Sequence, residues 1–348
     1  MRPNNRVVTM ANQTYSSSGV DVEKVKGMHS ALWAKIGPTF EINRGKIGHP
    51  VKLFGHYGGI FRGSGRELYV IHTDGVGSKV LLAQQLGKFN TVGIDAIAMS
   101  ANDILCMGAK PLVAVDYLAL AKEDAELTDK LMDGLVAGAQ EAGCAIVGGE
   151  TAILPDIIKG EGRPFDLAVT MVGFVDEGKL VIGAKMKEGD VIVGLESSGL
   201  HSNGYTLARR ALDSKKWGAE MLIPTKIYVK CVLEMLAAAD VHGLAHITGG
   251  AFSKLTRIGE HSNVGFMLDN MPSPAPIFEA LAKSVGSDYE MYRTFNMGVG
   301  MCVVCGKKDA NAIIGIAKKH GIGATIIGSV TKETGVVLQK AGKKTKLA

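Results

Sequence analysis

The chain has 348 residues, enough for two ordinary domains. Hydrophobic residues are 46% and charged residues 21%, which excludes a disordered chain. Lys and Arg number 39 against 34 Asp and Glu, a net charge of +5, and the one basic cluster is the tail Lys343, Lys344, Lys346, so no nucleic-acid partner is expected.

No apolar run reaches the roughly 18 residues of a spanning helix, so no membrane partner is expected. The opening MRPNNRVVTM lacks the apolar stretch of a secretory signal. Five cysteines, an odd number, fit a reducing cytoplasm better than a disulfide framework. Cys302 and Cys305 stand three apart in a strand-like run, so they point to opposite faces and read as core. Glycine is the anomaly. It supplies 45 residues, where the usual share of about 7% would give far fewer. The glycines fall in short clusters between apolar runs, which predicts tight turns and close backbone approaches.

In chain order, residues 1–40 read as a lead segment with one helix, roughly Val20 to Ile36. Leu68 to Thr73 is a β-rich run ending at Asp74-Gly75. Gly93 to Gly108 has the helical period, with Ile94, Ile97, Ala98, Ala101, Ile104 and Leu105 on one face. Leu112 to Leu118 is a strand, Leu127 to Ala142 a helix, Cys144 to Val147 a short strand, and Phe165 to Val175 a strand. Asp176-Glu-Gly-Lys179 breaks the composition and marks the expected boundary between domains 41–176 and 177–348. Beyond it come a strand at Asp190 to Leu195, helices at Tyr205 to Leu212, Val229 to Ala239 and Ala251 to Ile258, a strand at Gly298 to Cys305, a helix at Ala310 to His320 and a strand at Ala324 to Val330. Each half mixes helices and strands, so the class is α/β or α+β, and the pattern alone does not choose.

Five clusters carry chemistry. His72-Thr-Asp74-Gly75-Val-Gly77-Ser-Lys79 follows a strand: the glycines offer backbone N–H groups to an anion, Asp74 suits a hard cation and Lys79 a phosphate. Read alone it is equally a polar hairpin turn. Asp95, Asn102 and Asp103 lie in an otherwise apolar helix. At about 100° per residue, Asp95 and Asn102 are about 20° apart and Asp103 about 80° away. A carboxylate in such a helix needs a partner or a metal. Val147-Gly-Gly-Glu150-Thr151 sets another carboxylate after paired glycines, and with Asp74 and Asp103 it would give Mg²⁺ oxygen ligands. A plain turn is the alternative. In Ser197-Ser-Gly-Leu-His201-Ser202-Asn203-Gly204, Ser202 or Asn203 can cap a helix, and His201 adds a proton-transfer group. His246-Ile-Thr248-Gly249-Gly250-Ala251 opens a helix whose N–H groups can receive phosphate.

Taken together and in this order, the clusters resemble the phosphoribosylformylglycinamidine cyclo-ligase family, the aminoimidazole ribonucleotide (AIR) synthetases. The resemblance runs from Tyr15-Ser-Ser-Ser-Gly-Val-Asp21 to Met301. It includes DGVGSK (74–79), GIDAIAMSANDI (93–104), VGGET (147–151), SSGLHSNGY (197–205), PTKIYV (224–229), HITGGAF (246–252) and YRTFNMGVGM (292–301). The first four motifs recur in a wider ATP-dependent superfamily. The last three single out the cyclo-ligases.

The resemblance implies a two-domain α/β fold of the AIR-synthetase kind and a homodimer pairing strands of the N-terminal domain. It implies the substrate formylglycinamidine ribonucleotide, ATP and Mg²⁺, with a monovalent cation as a further candidate. Asp74, Asp103 and Glu150 would ligate Mg²⁺. Gly75, Gly77 and Lys79 would face phosphates, with Asp95, Asn102 and Thr151 supporting the nucleotide. Catalysis would fall to His201, Lys79 and Asp103. Ser202, Asn203, His246, Thr248, Gly249 and Gly250 would meet the substrate, the last three at its ribose phosphate. Three positions depart from the family pattern: Ser16 stands for its Lys, with Lys24 or Lys35 as substitutes, Ser78 for its Thr, and Ala251 for its third glycine.

Overall fold

The computed structural model describes residues 32–53 and 55–348. The expected helix at 20–36 lies mostly outside them, as do Ser16 and Lys24; residues 32–36 are helical.

The first half forms a six-stranded sheet from β1 (Pro50–Val51), β2 (Gly59–Arg62), β3 (Glu67–Gly75), β4 (Lys110–Leu120), β5 (Ala145–Ile153) and β6 (Phe165–Asp176), in the order β1-β2-β3-β6-β4-β5. Only β4 and β5 run parallel, and α3 (Ala125–Ala142) makes their crossover. Helix α1 (Lys79–Leu86) follows β3, and α2 (Asn90–Leu105) lies against one face of the sheet. Leu68, Val70, Ala114, Leu118, Val169 and Met171 bury that face. The α2–α3 crossing is close because it is made of glycine: a Cβ on Gly134 would stand 2.1 Å from the Asn90 carbonyl oxygen, and one on Gly93 2.5 Å from that of Leu131. Here the glycine excess serves helix packing.

The second half forms a seven-stranded sheet from β7 (Val191–Glu196), β8 (Val241–His246), β9 (Gly265–Leu268), β10 (Val299–Cys305), β11 (Ala324–Thr331), β12 (Gly335–Lys340) and β13 (Lys343–Lys346), ordered β13-β12-β9-β11-β7-β10-β8. Its helices are α4 (Tyr205–Ala211), α5 (Ser214–Met221), α6 (Val229–Ala238), α7 (Leu255–Gly259), α8 (Pro276–Val285), α9 (Asp288–Thr294) and α10 (Ala310–Lys319). β10 is buried at every position, Cys302 and Cys305 included, and all five cysteines are free.

Two expectations need correction. Residues 251–258, expected as one helix, are a 3₁₀ turn (Ala251–Lys254) followed by α7. Val147 to Thr151 is not a turn after a strand, because β5 runs straight through it. Gly149 of the pair instead gives Asp116 room: a Cβ on it would stand 2.2 Å from the Asp116 Oδ1.

Candidate active site

Helix α2 fastens the two halves together. Its residues Asp95, Asn102 and Asp103 are buried, and each bonds to the second half. Asp95 Oδ1 accepts from Ser202 Oγ (2.8 Å) and from Thr225 N and Oγ1 (2.7 Å each). Asn102 donates to the Lys226 carbonyl (2.9 Å) and accepts from Tyr228 N (3.0 Å). Asp103 Oδ1 lies 2.7 Å from His246 Nδ1, and its Oδ2 lies 3.3 Å from His72 Nε2. The helical spacing thus put Asp95 and Asn102 on the face that holds residues 225–228, with Asp103 turned toward β3 and β8. These bonds explain how a helix of Ile, Ala and Met tolerates three polar side chains.

Asp95, Asn102 and Lys79 do not stand where the motif reading put them. Lys79, expected at phosphates, is fully buried. Its Nζ is 2.8 Å from Asp95 Oδ2 and donates to the carbonyls of His201 (3.0 Å) and Ile223 (2.8 Å). Those three acceptors satisfy an ammonium's three donors, so Lys79 has none left for a nucleotide. Burial lowers its pKa, and the Asp95 charge opposes that shift. Asp95 and Asn102 are likewise bonded between the halves. The Ser202 hydroxyl is bound to Asp95 and Thr225, not open to substrate.

The expected metal trio separates. Asp74 pairs in register with Val169, Val169 with Asp116, and Asp116 with Gly149, next to Glu150. Three strand spacings put Glu150 about 14 Å from Asp74, beyond sharing one ion. Among the described residues no three His, Cys, Asp or Glu side chains form a metal cluster. Asp74 and Asp103 do converge: the Asp74 pKa is raised by burial first and by the Asp103 charge second. Asp103 goes the other way: burial raises its pKa, but the His246 hydrogen bond together with the His246, His72 and Lys254 charges brings it below the usual carboxylate value. Two carboxylates repelling one another suit a hard divalent cation.

His201 is fully buried with a left-handed backbone, φ +61°. Its Nε2 accepts from Ser198 N (3.1 Å), which assigns the proton to Nδ1, and Nδ1 has no partner among the described residues. Burial, then the His246, Lys79 and Lys226 charges, push its pKa well below the usual imidazole value. His201 is therefore neutral at pH 7, with a free donor. Its ring lies 6.5 Å from that of His246 and 6.3 Å from that of Tyr228. Asn203 reaches the glycine turn, since a Cβ on Gly249 would stand 3.3 Å from its Oδ1. Thr248 is buried, and its carbonyl accepts from Ala251 N (2.7 Å). Gly250 (φ +86°) and Ala251 (φ +44°) are both left-handed. The family's glycine at 251 would hold that backbone freely, whereas alanine strains it by about 1 kcal/mol. Gly77 is also left-handed (φ +68°), with open space where a Cβ would be. Thr151 and Glu150 lie exposed on β5.

Motif reading missed four residues. His72 lies inside a quoted motif without a role. Tyr57 donates to the His246 carbonyl (3.4 Å), under the Arg257 guanidinium 5.2 Å from its ring. Lys254 follows the glycine turn and has no ion pair among the described residues. Burial and Arg257 push it down to about 8, against the pull of Asp103 and Asp74. Its spacing from Thr248-Gly-Gly was the available signal.

Comparison with known proteins agrees with this two-part architecture. Residues 55–175 match the N-terminal and 187–340 the C-terminal domain of AIR synthase related proteins. A thiamine-monophosphate kinase from Stenotrophomonas maltophilia superposes with a TM-score of 0.62 at 18% identity, over 88% of this chain and 96% of that one. A hydrogenase maturation protein, HypE of E. coli, gives 0.63 at 19%, over 80% and 85%. These distant neighbours share the fold. Two relatives are much nearer in sequence. Phosphoribosylformylglycinamidine cyclo-ligase of Thermococcus gammatolerans is 43% identical over 95% of this chain and 99% of its own length. That of Methanocaldococcus jannaschii is 45% identical over 91% and 92%. The chain belongs to the phosphoribosylformylglycinamidine cyclo-ligase family.

Proposed function

We propose that this enzyme closes the imidazole ring of aminoimidazole ribonucleotide from formylglycinamidine ribonucleotide and ATP, with release of ADP and phosphate, in cytoplasmic purine synthesis. The observation that carries the reading is the buried polar cluster on α2. There a neutral His201 with a free N–H stands across from the His72–Asp103–His246 chain, beside the glycine turn 248–250.

In the reaction the formyl oxygen takes the terminal phosphoryl group of ATP. The ribose-bearing amidine nitrogen attacks the formyl carbon, the C–O bond breaks, phosphate leaves and the nitrogen gives up its proton. His201 Nδ1–H donates to the formyl amide and holds it in place. His246, fixed by Asp103, shapes the wall beside it. The Thr248–Gly250 turn receives the ribose phosphate. Lys254 and Arg257 supply the positive charge that Lys79 does not. Gathering both substrate ends in one cleft makes the attack intramolecular. Asp74 and Asp103 would hold Mg²⁺, which offsets triphosphate charge when bound.

The assembly is a homodimer. One face of the first sheet, with Tyr69, Ile71, Val115, Tyr117, Val172 and Phe174, has no cover among the described residues, and Ile71, Val115 and Tyr117 are each about 40% exposed. On the exposed edge strand β5, Glu150 and Thr151 reach the nucleotide of a second copy. The boundary between the domains is the 176–179 break.

Purified protein given the amidine substrate, ATP and Mg²⁺ should form ADP and aminoimidazole ribonucleotide in equal amounts. ADP without ring product rejects the reading. Asp103→Asn should lose on the order of 100-fold in turnover with its fold retained. Mixing it with Glu150→Gln should restore part of the activity if Glu150 acts across the dimer, and none if it does not.

A further inference from the structure

The ion pair Lys79–Asp95 is the most completely buried pair of charges described, and the chemistry above does not use it. It sits where the two halves join. Lys79 opens α1 directly after the Asp74–Ser78 loop, and its Nζ donates to the backbone carbonyl of His201 itself. Asp95, its partner, accepts from Ser202, the next residue, and twice from Thr225. Lys79 also holds the Ile223 carbonyl. One pair of charges thus grips both sides of residue 201 and the 223–225 segment beneath it.

His201 needs that grip. A non-glycine residue at φ +61° is strained, and such a backbone persists only where its surroundings over-determine it. The ring's one bond, Ser198 N to Nε2, lies within the same loop and cannot set its position relative to the first half.

We propose that Lys79 and Asp95 are positioning residues for His201, holding its backbone left-handed so that its imidazole N–H is aimed into the cleft. This rests on the role given to His201 above. The pair also ties the glycine loop at Asp74–Ser78 to the His201 loop, so the two sides of the cleft are set by one contact. Lys79 is therefore required for turnover without touching the nucleotide.

The test is a double-mutant cycle on the whole enzyme. Lys79→Met/Asp95→Asn removes both charges, keeps similar volumes and leaves Asn an oxygen for Thr225. The expected result is a fall in kcat on the order of 100-fold, the cost typical of a small misplacement. KM for ATP should stay within about threefold, and melting should remain cooperative. In a His201→Ala background the same pair of changes should cost almost nothing further. The ¹⁵N signals of the His201 ring should also move from the pure Nδ1–H form toward a mixture.

An unchanged kcat in the folded double variant overturns the proposal, as does a loss that simply multiplies with that of His201→Ala. A rise of tenfold or more in KM for ATP with kcat kept would return Lys79 to the phosphates. Wild-type turnover in His201→Ala alone would instead remove the role given to His201, a separate failure. Should the double variant not fold, Asp95→Asn alone runs the same cycle with the same criteria.

Discussion

The two sheets are finished differently. In the second half β7, β8 and β10 are buried on both faces, and β10 has no exposed residue. In the first half the sheet is covered on one face by α2 and α3, while the other face is apolar and has no cover among the described residues. Alternation tells the two apart: every second residue of β6 is buried and those between are partly buried or exposed, whereas β10 reads buried throughout. The central strands of the second sheet are therefore buried within one chain, whereas one face of the first is exposed among the described residues. The polar cluster of Asp103, His246 and His201 lies where the halves meet, between a helix of the first half and β8 and a loop of the second.

The sharpest way to break this contrast is to place one charge in each sheet. Val303→Lys in β10 buries an unpaired ammonium and should cost more than about 4 kcal/mol, leaving little folded protein. Val115→Lys on that face should leave the chain folded by circular dichroism but shift the proposed dimer to monomer in sedimentation. If Val115→Lys sediments as wild type, that face is not where copies meet. If Val303→Lys folds normally, the second sheet is not the closed one.

Glycines extend the comparison at smaller scale. Gly134 in α3 has the Asn90 carbonyl where its Cβ would be, so Gly134→Ala should lose about 1–3 kcal/mol despite better helix propensity. Gly315 in α10 has open space there, so Gly315→Ala should gain up to about 1 kcal/mol. Thermal melts of the two variants should move in opposite directions. Movement in the same direction would show that propensity, not close approach, governs α3.

The periodic elements were legible from the sequence because burial is written in their spacing. The helix of Ile94 to Leu105 and the strands at 68–73, 165–175 and 298–305 needed only that signal. What was not legible is contact between distant segments. The spacing of Asp95, Asn102 and Asp103 gave their faces correctly but not their partners, since Thr225, Tyr228 and His246 come from the other half. Lys79 misled for the same reason: a lysine after a glycine loop has one appearance whether it meets phosphate or a buried aspartate 16 residues on. Glu150 misled because paired glycines signal a turn, whereas here they lie within a strand and Gly149 clears space for Asp116. β8 and β9 went unseen because they are short and lack alternation.

The smallest expected effect is at the surface of the first half. Asp124 caps α3 by accepting from Leu127 N (3.1 Å), and it pairs with Arg163, whose Nε is 2.6 Å from its Oδ2. That hydrogen bond to Arg163, aided by the cap, holds the Asp124 carboxyl down at about 2. A carboxyl depressed in the folded state stabilises above its unfolded value, about 3.9, and that contribution is lost as pH falls through about 2. Asp124→Asn keeps an acceptor for the cap but loses the charge, so it should cost at most about 1 kcal/mol at pH 7. The gap from wild type should hold down to about pH 4 and narrow between about 4 and 2. Denaturant melts across that range decide it: a gap independent of pH would mean that the cap alone, and not the pairing with Arg163, is what Asp124 contributes.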